Sequence, residues 1–130
     1  MYTCQKADEY IEKNRVDRAD KPEFHLTTPV GWLNDPNGFS IYGGKAHLFY
    51  QFHPYSTEWG PMHWGHSTSD DFIRWEELPT ALAPDSDYDA FGCFSGTAIE
   101  NDGKHVLFYT GVVEEKLADG TKNVIQNQCM

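Results

Sequence analysis

The sequence predicts an all-β protein with one short N-terminal helix, and two observations lead to this prediction. From Glu23 onward, short aromatic and β-branched runs alternate with Gly, Pro, Asn and Asp, as in strands joined by turns. One of these runs, which begins at Gly44, recurs later in the chain from Gly103. Aromatic residues make up 15% of the 130 positions, which also favours strands over disorder.

The N-terminal segment has the one convincing helical pattern. Apolar residues recur there at helical spacing and Thr3 can cap the first turn, so we predict a helix over residues 3–16. The charged stretch that follows ends at Pro22 and is typical of a linker. Residues 1–22 are therefore predicted to form a helical extension and linker, and residues 23–130 to form the β domain.

The recurring run is the clearest sign of a repeat architecture. Gly, Lys, Leu, Phe and Tyr recur in the segments 44–50 and 103–109, and each copy follows a turn. The spacing between the two copies suits a four-stranded blade of a β-propeller with one long loop. Residues 23–130 are then long enough for the first blade and most of the second, so we interpret the chain as the N-terminal part of a longer propeller. Chance similarity between two β-hairpins is the alternative.

The composition excludes several kinds of partner. The net charge of −10 disfavours nucleic acid and anionic membrane surfaces, because both need a basic face. The N-terminus has no apolar core of a secretory signal, and no run approaches the ~18 apolar residues of a membrane span. The three cysteines are odd in number and widely spaced, so we expect buried free thiols in a cytoplasmic protein.

The histidines and glycines give no sign of a metal or a cofactor. His63 and His66 are three residues apart, but the cysteines are remote and no H-E-x-x-H motif is present. Phosphate-binding glycine motifs are absent, and Ser95 lies outside any nucleophile-elbow motif. We therefore predict no cofactor, no metal, and structural roles for His47, His53, His63 and His66.

Asp35 lies in an unusual stretch, Gly31 to Gly38, which reads GWLNDPNG. Pro36 restricts Asp35 to extended backbone angles, and Asn37-Gly38 is typical of a tight turn. A carboxylate held on a stiff element beside apolar residues suits a nucleophile. An Asx-turn, in which the carboxylate bonds only to its own backbone, is the alternative.

The aromatic residues are a second feature that could belong to a binding site. Four tryptophans, with nearby tyrosines and phenylalanines, exceed what a small core needs. Aromatic faces stack on sugar rings, while Asn34, Gln51 and Ser95 can hydrogen-bond to hydroxyl groups. Core packing is the alternative, and it is the expectation for Trp75. The sequence thus indicates either a sugar-binding surface or a large aromatic core.

The repeat also relates Asp35 to a distant stretch of the chain. The same shift along the sequence that takes Gly44 to Gly103 takes Asp35 to Phe94. The innermost strands of successive propeller blades line one central channel, so equivalent positions face the same funnel. We therefore predict that Asn34 and Asp35 share a site with Phe94 and Ser95.

Several motifs, in order from about Pro22 to the end of the chain, resemble those of glycoside hydrolase family 32. They are His25-Leu26, residues 31–38, Leu48-Phe49-Tyr50-Gln51, and residues 59–66, 67–75, 78–84 and 92–98. The start of the chain is most similar to the bacterial sucrose-6-phosphate hydrolases and intracellular invertases of that family.

The resemblance implies a five-bladed β-propeller followed by a C-terminal β-sandwich, with the sandwich absent from these residues. It implies retaining hydrolysis of β-fructofuranosides such as sucrose or sucrose 6-phosphate, with Asp35 as the nucleophile of a covalent fructosyl-enzyme. It implies no metal and no cofactor. The positions that match those around the fructosyl ring are Trp32, Leu33, Asn34, Gln51, Trp59, Phe94 and Ser95.

The family's other two carboxylates are missing from the sequence. Neither the Glu-Cys acid/base motif nor the Arg-Asp-Pro stabilising motif occurs. Retaining catalysis needs two carboxyl groups ~5–5.5 Å apart, so we expect no sucrose hydrolysis by these 130 residues alone. A non-catalytic sugar-binding propeller module and an inverting propeller glycosidase are the alternatives.

Overall fold

The computed structural model describes residues 1–130 and confirms an all-β fold with one short α-helix. Its strands form two antiparallel sheets, one of four strands and one of three. The helix is α1 (Cys4–Asn14), and the strands are β1 (Trp32–Tyr42), β2 (Lys45–His53), β3 (His63–Ser69), β4 (Glu76–Leu82), β5 (Gly92–Asn101), β6 (Lys104–Lys116) and β7 (Lys122–Cys129). Strands adjacent in sequence are adjacent in each sheet, which is the pattern of propeller blades. We call β1–β4 the first blade and β5–β7 the second.

Helix α1 begins where the sequence predicts, because Thr3 caps it. The Thr3 side chain accepts a hydrogen bond from a backbone N–H in the first turn at 3.2 Å. The helix ends at Asn14, two residues before the predicted end, since Arg15 has a ψ of 128°. The predicted linker contains a short 3-10 helix, Arg18–Asp20, capped by the Asp17 side chain. Neither helix is long and apolar enough to cross a membrane.

Helix α1 packs against β4, the outer strand of the first blade. The backbone N–H of Thr80 donates a hydrogen bond to Asp8 at 2.9 Å. Arg15 forms an ion pair with Glu77, and Ala7 is completely buried. An exposed outer strand offers unpaired backbone groups to other chains, so the helix protects this edge of the blade.

The two blades begin with equivalent hairpins, as the repeat predicts. β1 and β2 are joined at Gly43-Gly44, and β5 and β6 are joined at Asp102-Gly103. All four turn residues have positive φ angles, which are typical of the tightest hairpin turns. The repeat is therefore a repeat of structure as well as of sequence.

The predicted turn at Asn37-Gly38 is wrong, because both residues lie inside β1. The pairing of β1 with β2 shifts between Asn37 and Ser40, and it shifts again between Leu33 and Pro36. Gly38 has a φ of 58°, which favours glycine and suits a bulge. β1 therefore bulges twice and stays in the sheet instead of reversing.

An aromatic core joins the two blades. Phe49 and Trp64 of the first blade pack with Cys93, Ala98 and Tyr109 of the second. The Trp64 side chain is completely buried, so this tryptophan belongs to the core. The three thiols are free as predicted. Only Cys93 is buried, however, whereas the other two are partly exposed, so the prediction of burial is wrong for them.

Candidate active site

A cavity of about 350 Å³ opens beside the inner strands β1 and β5. Its lining comes from both blades and from the loop between β2 and β3. The lining residues are Asn34, Asp35, Gln51, Trp59, Met62, Phe94, Ser95, Thr110 and Gln126. The two stretches that the repeat places together, around Asp35 and around Phe94, therefore lie at one cavity.

Asp35 reaches this cavity from an irregular part of β1. The register shift between Leu33 and Pro36 falls at Asp35, and a bulge re-aims a side chain relative to regular strand alternation. Pro36 has no N–H to donate to the neighbouring strand. The side-chain amide of Asn37 donates to the backbone oxygen of Asp35 at 3.3 Å. Local chemistry thus fixes the backbone that carries the carboxylate.

The carboxylate of Asp35 is bonded from the other blade. The Ser95 hydroxyl donates to Asp35 Oδ2 at 3.3 Å. Because the side chain bonds to Ser95 and not to its own backbone, the Asx-turn interpretation is wrong. The second carboxylate oxygen, Oδ1, has no hydrogen-bond partner in the chain, and the side chain is exposed. One carboxylate oxygen is thus hydrogen-bonded to the second blade, while the other has no hydrogen-bond partner in the chain.

Gln51 is held in the buried wall of the cavity. Its Nε2 donates to the backbone oxygen of Cys93 at 2.9 Å, and its side chain is only 3% exposed. This bond runs from the first blade to the start of β5, just before Phe94 and Ser95. The Gln51 carbonyl oxygen is left as an acceptor for a hydroxyl group.

Trp59 and Phe94 form an aromatic corner of the cavity. Their ring centroids lie 6.2 Å apart with an interplanar angle of 88°, which is the edge-to-face arrangement that aromatic pairs favour. Trp59 is 49% exposed. Its ring is therefore available to stack on an apolar face of a ligand.

Trp32 and Leu33, which the resemblance places near the substrate, do not line the cavity. The indole N–H of Trp32 donates to Asn34 Oδ1 at 2.7 Å, so Trp32 orients an amide that does line it. Leu33 pairs with Phe52 in the β1–β2 ladder and is 37% exposed. The other six predicted side chains converge on the cavity.

Three lining residues were not predicted from the sequence: Met62, Thr110 and Gln126. The repeat could have indicated one of them, because the shift that takes Gly44 to Gly103 also takes Gln51 to Thr110. Met62 lies just before β3, and Gln126 lies in β7. Neither belongs to the recurring run, so the repeat could not indicate them.

A larger concavity, of about 920 Å³, lies against the face of β6 and is lined mainly by apolar residues. Size alone would favour it as the site. The smaller cavity, however, combines a carboxylate, three side-chain amides and two hydroxyls with aromatic rings. Convergent polar groups of this kind fix the orientation of a ligand, so we assign the candidate site to the smaller cavity.

The histidines have structural contacts, as predicted. His47 Nδ1 lies 2.9 Å from His66 Nε2, while His53 and His63 both bond to the backbone oxygen of Pro61. Burial lowers the pKa of His63 and of His66 to about 4. No group of three or more histidine, cysteine or acidic side chains is arranged to hold a metal ion.

Consecutive propeller blades around a cavity with a carboxylate, amides and aromatic rings are typical of β-propeller glycoside hydrolases. Residues 25–130 match the model of the glycosyl hydrolases family 32 N-terminal domain, and the chain therefore belongs to this family.

Individual relatives agree with this assignment. The chain is 50% identical over 109 residues to a sucrose-6-phosphate hydrolase of Escherichia coli, a match that covers 84% of this chain and 23% of the relative. The solved Bombyx mori GH32 β-fructofuranosidase BmSUC1 superposes with a TM-score of 0.81 at 47% identity, over 94% of this chain and 26% of that one. A mutant of that enzyme, solved in complex with sucrose, superposes with a TM-score of 0.81 at 45% identity, over 95% of this chain and 26% of that one. The chain thus spans about a quarter of the length of these relatives.

Proposed function

We propose that this chain is the nucleophile-bearing part of a retaining β-fructofuranosidase, with Asp35 as the nucleophile. The observation that carries the proposal is the carboxylate of Asp35 in the cavity. One of its oxygens is bonded to Ser95 of the neighbouring blade, and the other is free. A nucleophile has to be held firmly and still be accessible to the reacting carbon, and this arrangement meets both conditions.

The proposed reaction proceeds in two displacement steps. Asp35 Oδ1 attacks the anomeric carbon of the fructosyl unit, the bond from that carbon to the glycosidic oxygen breaks, and the leaving oxygen takes a proton from a general acid. Water then attacks the same carbon and gives a proton to the conjugate base of that acid. The ester bond to Asp35 breaks, the carboxylate is regenerated and fructose leaves with its original anomeric configuration.

The remaining cavity residues have complementary roles in this proposal. The Ser95 hydroxyl fixes the carboxylate during the attack. The amides of Asn34 and Gln51 accept or donate hydrogen bonds to fructosyl hydroxyls. Trp59 and Phe94 shield the reacting carbon from water and pack against the apolar edge of the ring. Positioning of this kind lowers the barrier by fixing the reactants in a reactive geometry.

The general acid is a second carboxyl group. Asp35 is the one carboxylate among the residues that line the cavity. In the family the acid is a glutamate in a Glu-Cys motif, which this sequence does not contain. We propose that other parts of the complete enzyme supply it, and that the 130 residues alone do not hydrolyse sucrose.

Sucrose and sucrose 6-phosphate are the proposed substrates, because relatives of this chain carry the names of enzymes that act on these sugars. No lysine or arginine lines the cavity. A phosphate on the substrate therefore has no cationic partner in this part of the site. We propose the cytoplasm as the compartment, since free thiols suit a reducing environment.

A chimera tests the proposed function. Residues 25–130 of this chain replace the matching segment of the E. coli sucrose-6-phosphate hydrolase, which supplies the rest of the enzyme. We expect the chimera to hydrolyse sucrose or sucrose 6-phosphate and to release β-fructofuranose first, as followed by NMR. The 130-residue chain assayed in parallel should show no turnover.

Two results would contradict the proposal. A folded chimera without activity towards either sugar would favour the sugar-binding module. Initial release of the α-anomer would favour the inverting mechanism.

A further inference from the structure

Trp59 lies in the loop between β2 and β3, residues 54–62. Two histidines at the ends of these strands form hydrogen bonds to the backbone of this loop. The backbone oxygen of Pro61 accepts a hydrogen bond from Nδ1 of His53 at 3.2 Å and from Nδ1 of His63 at 2.9 Å. A carbonyl oxygen can only accept, so both rings carry a proton on Nδ1. The loop is thereby bonded at one point to the ends of two strands.

The backbone of the loop also lies directly on one of these rings. A Cβ added to Gly60 would lie 2.6 Å from His53 Nε2. The close approach therefore requires glycine at this position. Because Trp59 immediately precedes Gly60, this contact fixes the backbone next to the indole.

Aromatic side chains cover the same histidines from the outside. Tyr55 lies 5.7 Å from His53 and 5.8 Å from His63, measured between ring centroids. Tyr2 lies 5.4 Å from His63 in an edge-to-face contact, and Tyr10 of α1 lies 5.0 Å from Tyr55. His63 is completely buried as a result. We call Tyr2, Tyr10, Tyr55, His53 and His63 the N-terminal brace.

The outer part of the brace comes from a segment that the family model does not include. The match to the family begins at residue 25, whereas Tyr2 and Tyr10 belong to the N-terminal extension. The tip of the loop itself, residues 56–59, is exposed. The extension therefore contacts the base of the loop, whereas Trp59 at the tip packs against Phe91 and against Phe94 of the second blade.

We propose that the N-terminal brace positions Trp59, so that Tyr2 and Tyr10, which lie outside the family domain, help to set the shape of the aromatic corner of the cavity. These side chains act through Pro61 and Gly60 and do not themselves line the cavity. The importance of Trp59 for a sugar rests on the proposed function above. The orientation of its indole does not, and it can be measured without substrate.

The indole N–H signals of the four tryptophans in the 130-residue chain provide the measurement. A Trp59→Phe variant assigns the Trp59 signal, and the buried Trp64 serves as an internal reference for the fold. We expect Tyr2→Leu, Tyr10→Leu and Tyr55→Leu to shift or broaden the Trp59 signal and to leave that of Trp64 in place. Tyr88→Leu is the matched control, because Tyr88 is exposed and lies outside the brace.

A pair of substitutions at His63 separates the hydrogen bond from simple packing. His63→Asn keeps a side-chain N–H close to the position of Nδ1, whereas His63→Phe keeps a ring but loses the donor. We expect the Trp59 signal to move in the Phe variant and to return towards its wild-type position in the Asn variant. An unmoved Trp59 signal in all brace variants, or equal movement of Trp59 and Trp64, would overturn the proposal.

Titration of the same proteins with sucrose links the brace to the site. We expect the brace variants to weaken sucrose binding by about 2- to 30-fold, the range of indirect coupling through packed side chains. If the wild-type chain does not bind sucrose, the proposed sugar site fails. The substrate-free signals would still decide whether the brace positions Trp59.

Discussion

The two blades begin with the same hairpin and differ in their innermost strands. β1 changes register with its neighbour twice, whereas β5 does so once, between Phe94 and Thr97. The first blade contributes the carboxylate of Asp35 at its bulge. At the equivalent position of the repeat, the second blade contributes the ring of Phe94 and the hydroxyl of Ser95. The comparison indicates that the repeated part of the sequence builds the scaffold, whereas the unrepeated part supplies the side chains of the candidate site.

The blades also differ in how completely they are buried. Most residues of β2 and β3 are buried, and α1 covers the outer strand of the first blade. In the second blade, β7 is mainly exposed. We therefore expect substitutions in the first blade to affect stability most. Effects on activity should be concentrated where the two blades meet.

The largest expected effect is loss of catalysis in Asp35→Asn. In the chimera described above, the amide keeps the shape of the side chain but cannot form the ester intermediate. We expect kcat to fall by at least ~10⁴-fold, as for other nucleophile removals, while the unfolding midpoint stays close to that of the parent. Asp87→Asn, at an exposed aspartate that does not line the cavity, is the control. Wild-type-like turnover of Asp35→Asn would rule out the nucleophile role.

The next effect is on stability and distinguishes the two blades. Trp64→Ala removes a completely buried ring that also donates to the backbone oxygen of Phe94 at 3.2 Å. We expect it to lower the free energy of unfolding by about 3–5 kcal/mol, measured by urea denaturation. Val124→Ala in β7, where the side chain is 52% exposed, should cost less than about 1 kcal/mol. Equal costs would contradict the difference in burial.

A third prediction concerns acid stability in the first blade. Burial lowers the pKa of His63 from 6.5 to about 4 in the folded chain, so between these values the unfolded state binds a proton that the folded state does not. Stability is then complete above pH 6.5 and falls as the pH drops towards 4, by up to about 3 kcal/mol for this histidine. Measurements of the free energy of unfolding between pH 7 and pH 4 test this predicted fall in stability.

The control for this pH dependence is a histidine outside the blades. We expect His63→Asn to reduce the loss of stability in acid and His25→Gln, at an exposed position, to leave it unchanged. His66 contributes in the same direction, since burial also lowers its pKa to about 4. If His63→Asn leaves the pH dependence of the free energy of unfolding unchanged, other groups cause the loss of stability in acid.

The smallest expected effect is that of Ser95→Ala. This change removes one 3.3 Å hydrogen bond from the second blade to Asp35 and leaves the nucleophile in place. The bond is exposed, and a single hydrogen bond contributes about 0.5–1.5 kcal/mol, so we expect kcat/KM of the chimera to fall about tenfold or less. Ser86→Ala, at a serine that does not line the cavity, is the control. A loss as large as that of Asp35→Asn would show that Ser95 has a direct chemical role.

Much of the fold was predictable because local signals were strong. The capping side chain of Thr3 indicated the helix, and the glycine turns with the recurring run indicated the hairpins and the relation between the blades. The Asn37-Gly38 prediction failed for a physical reason. A glycine with positive φ serves a bulge as well as a turn, and the ladder to β2, which decides between them, is a tertiary feature.

The site was predictable only in part. The repeat and the family motifs led to Asp35, Gln51 and Ser95, which meet at the cavity. The contribution of Gln126 depends on how β7 packs beside β6, and no sequence pattern records that. The N-terminal brace was likewise not predictable, because contacts between a helix and a distant loop have no fixed spacing in sequence.

Covalent trapping tests the central claim most directly. The chimera is mixed with sucrose, quenched in acid within the first turnovers and digested, and its peptides are analysed by mass spectrometry. We predict a fructosyl group on Asp35 and on no other residue, and no adduct in Asp35→Asn. Continued sucrose hydrolysis with the adduct on a different side chain, or with no adduct and inverted product, would contradict the account.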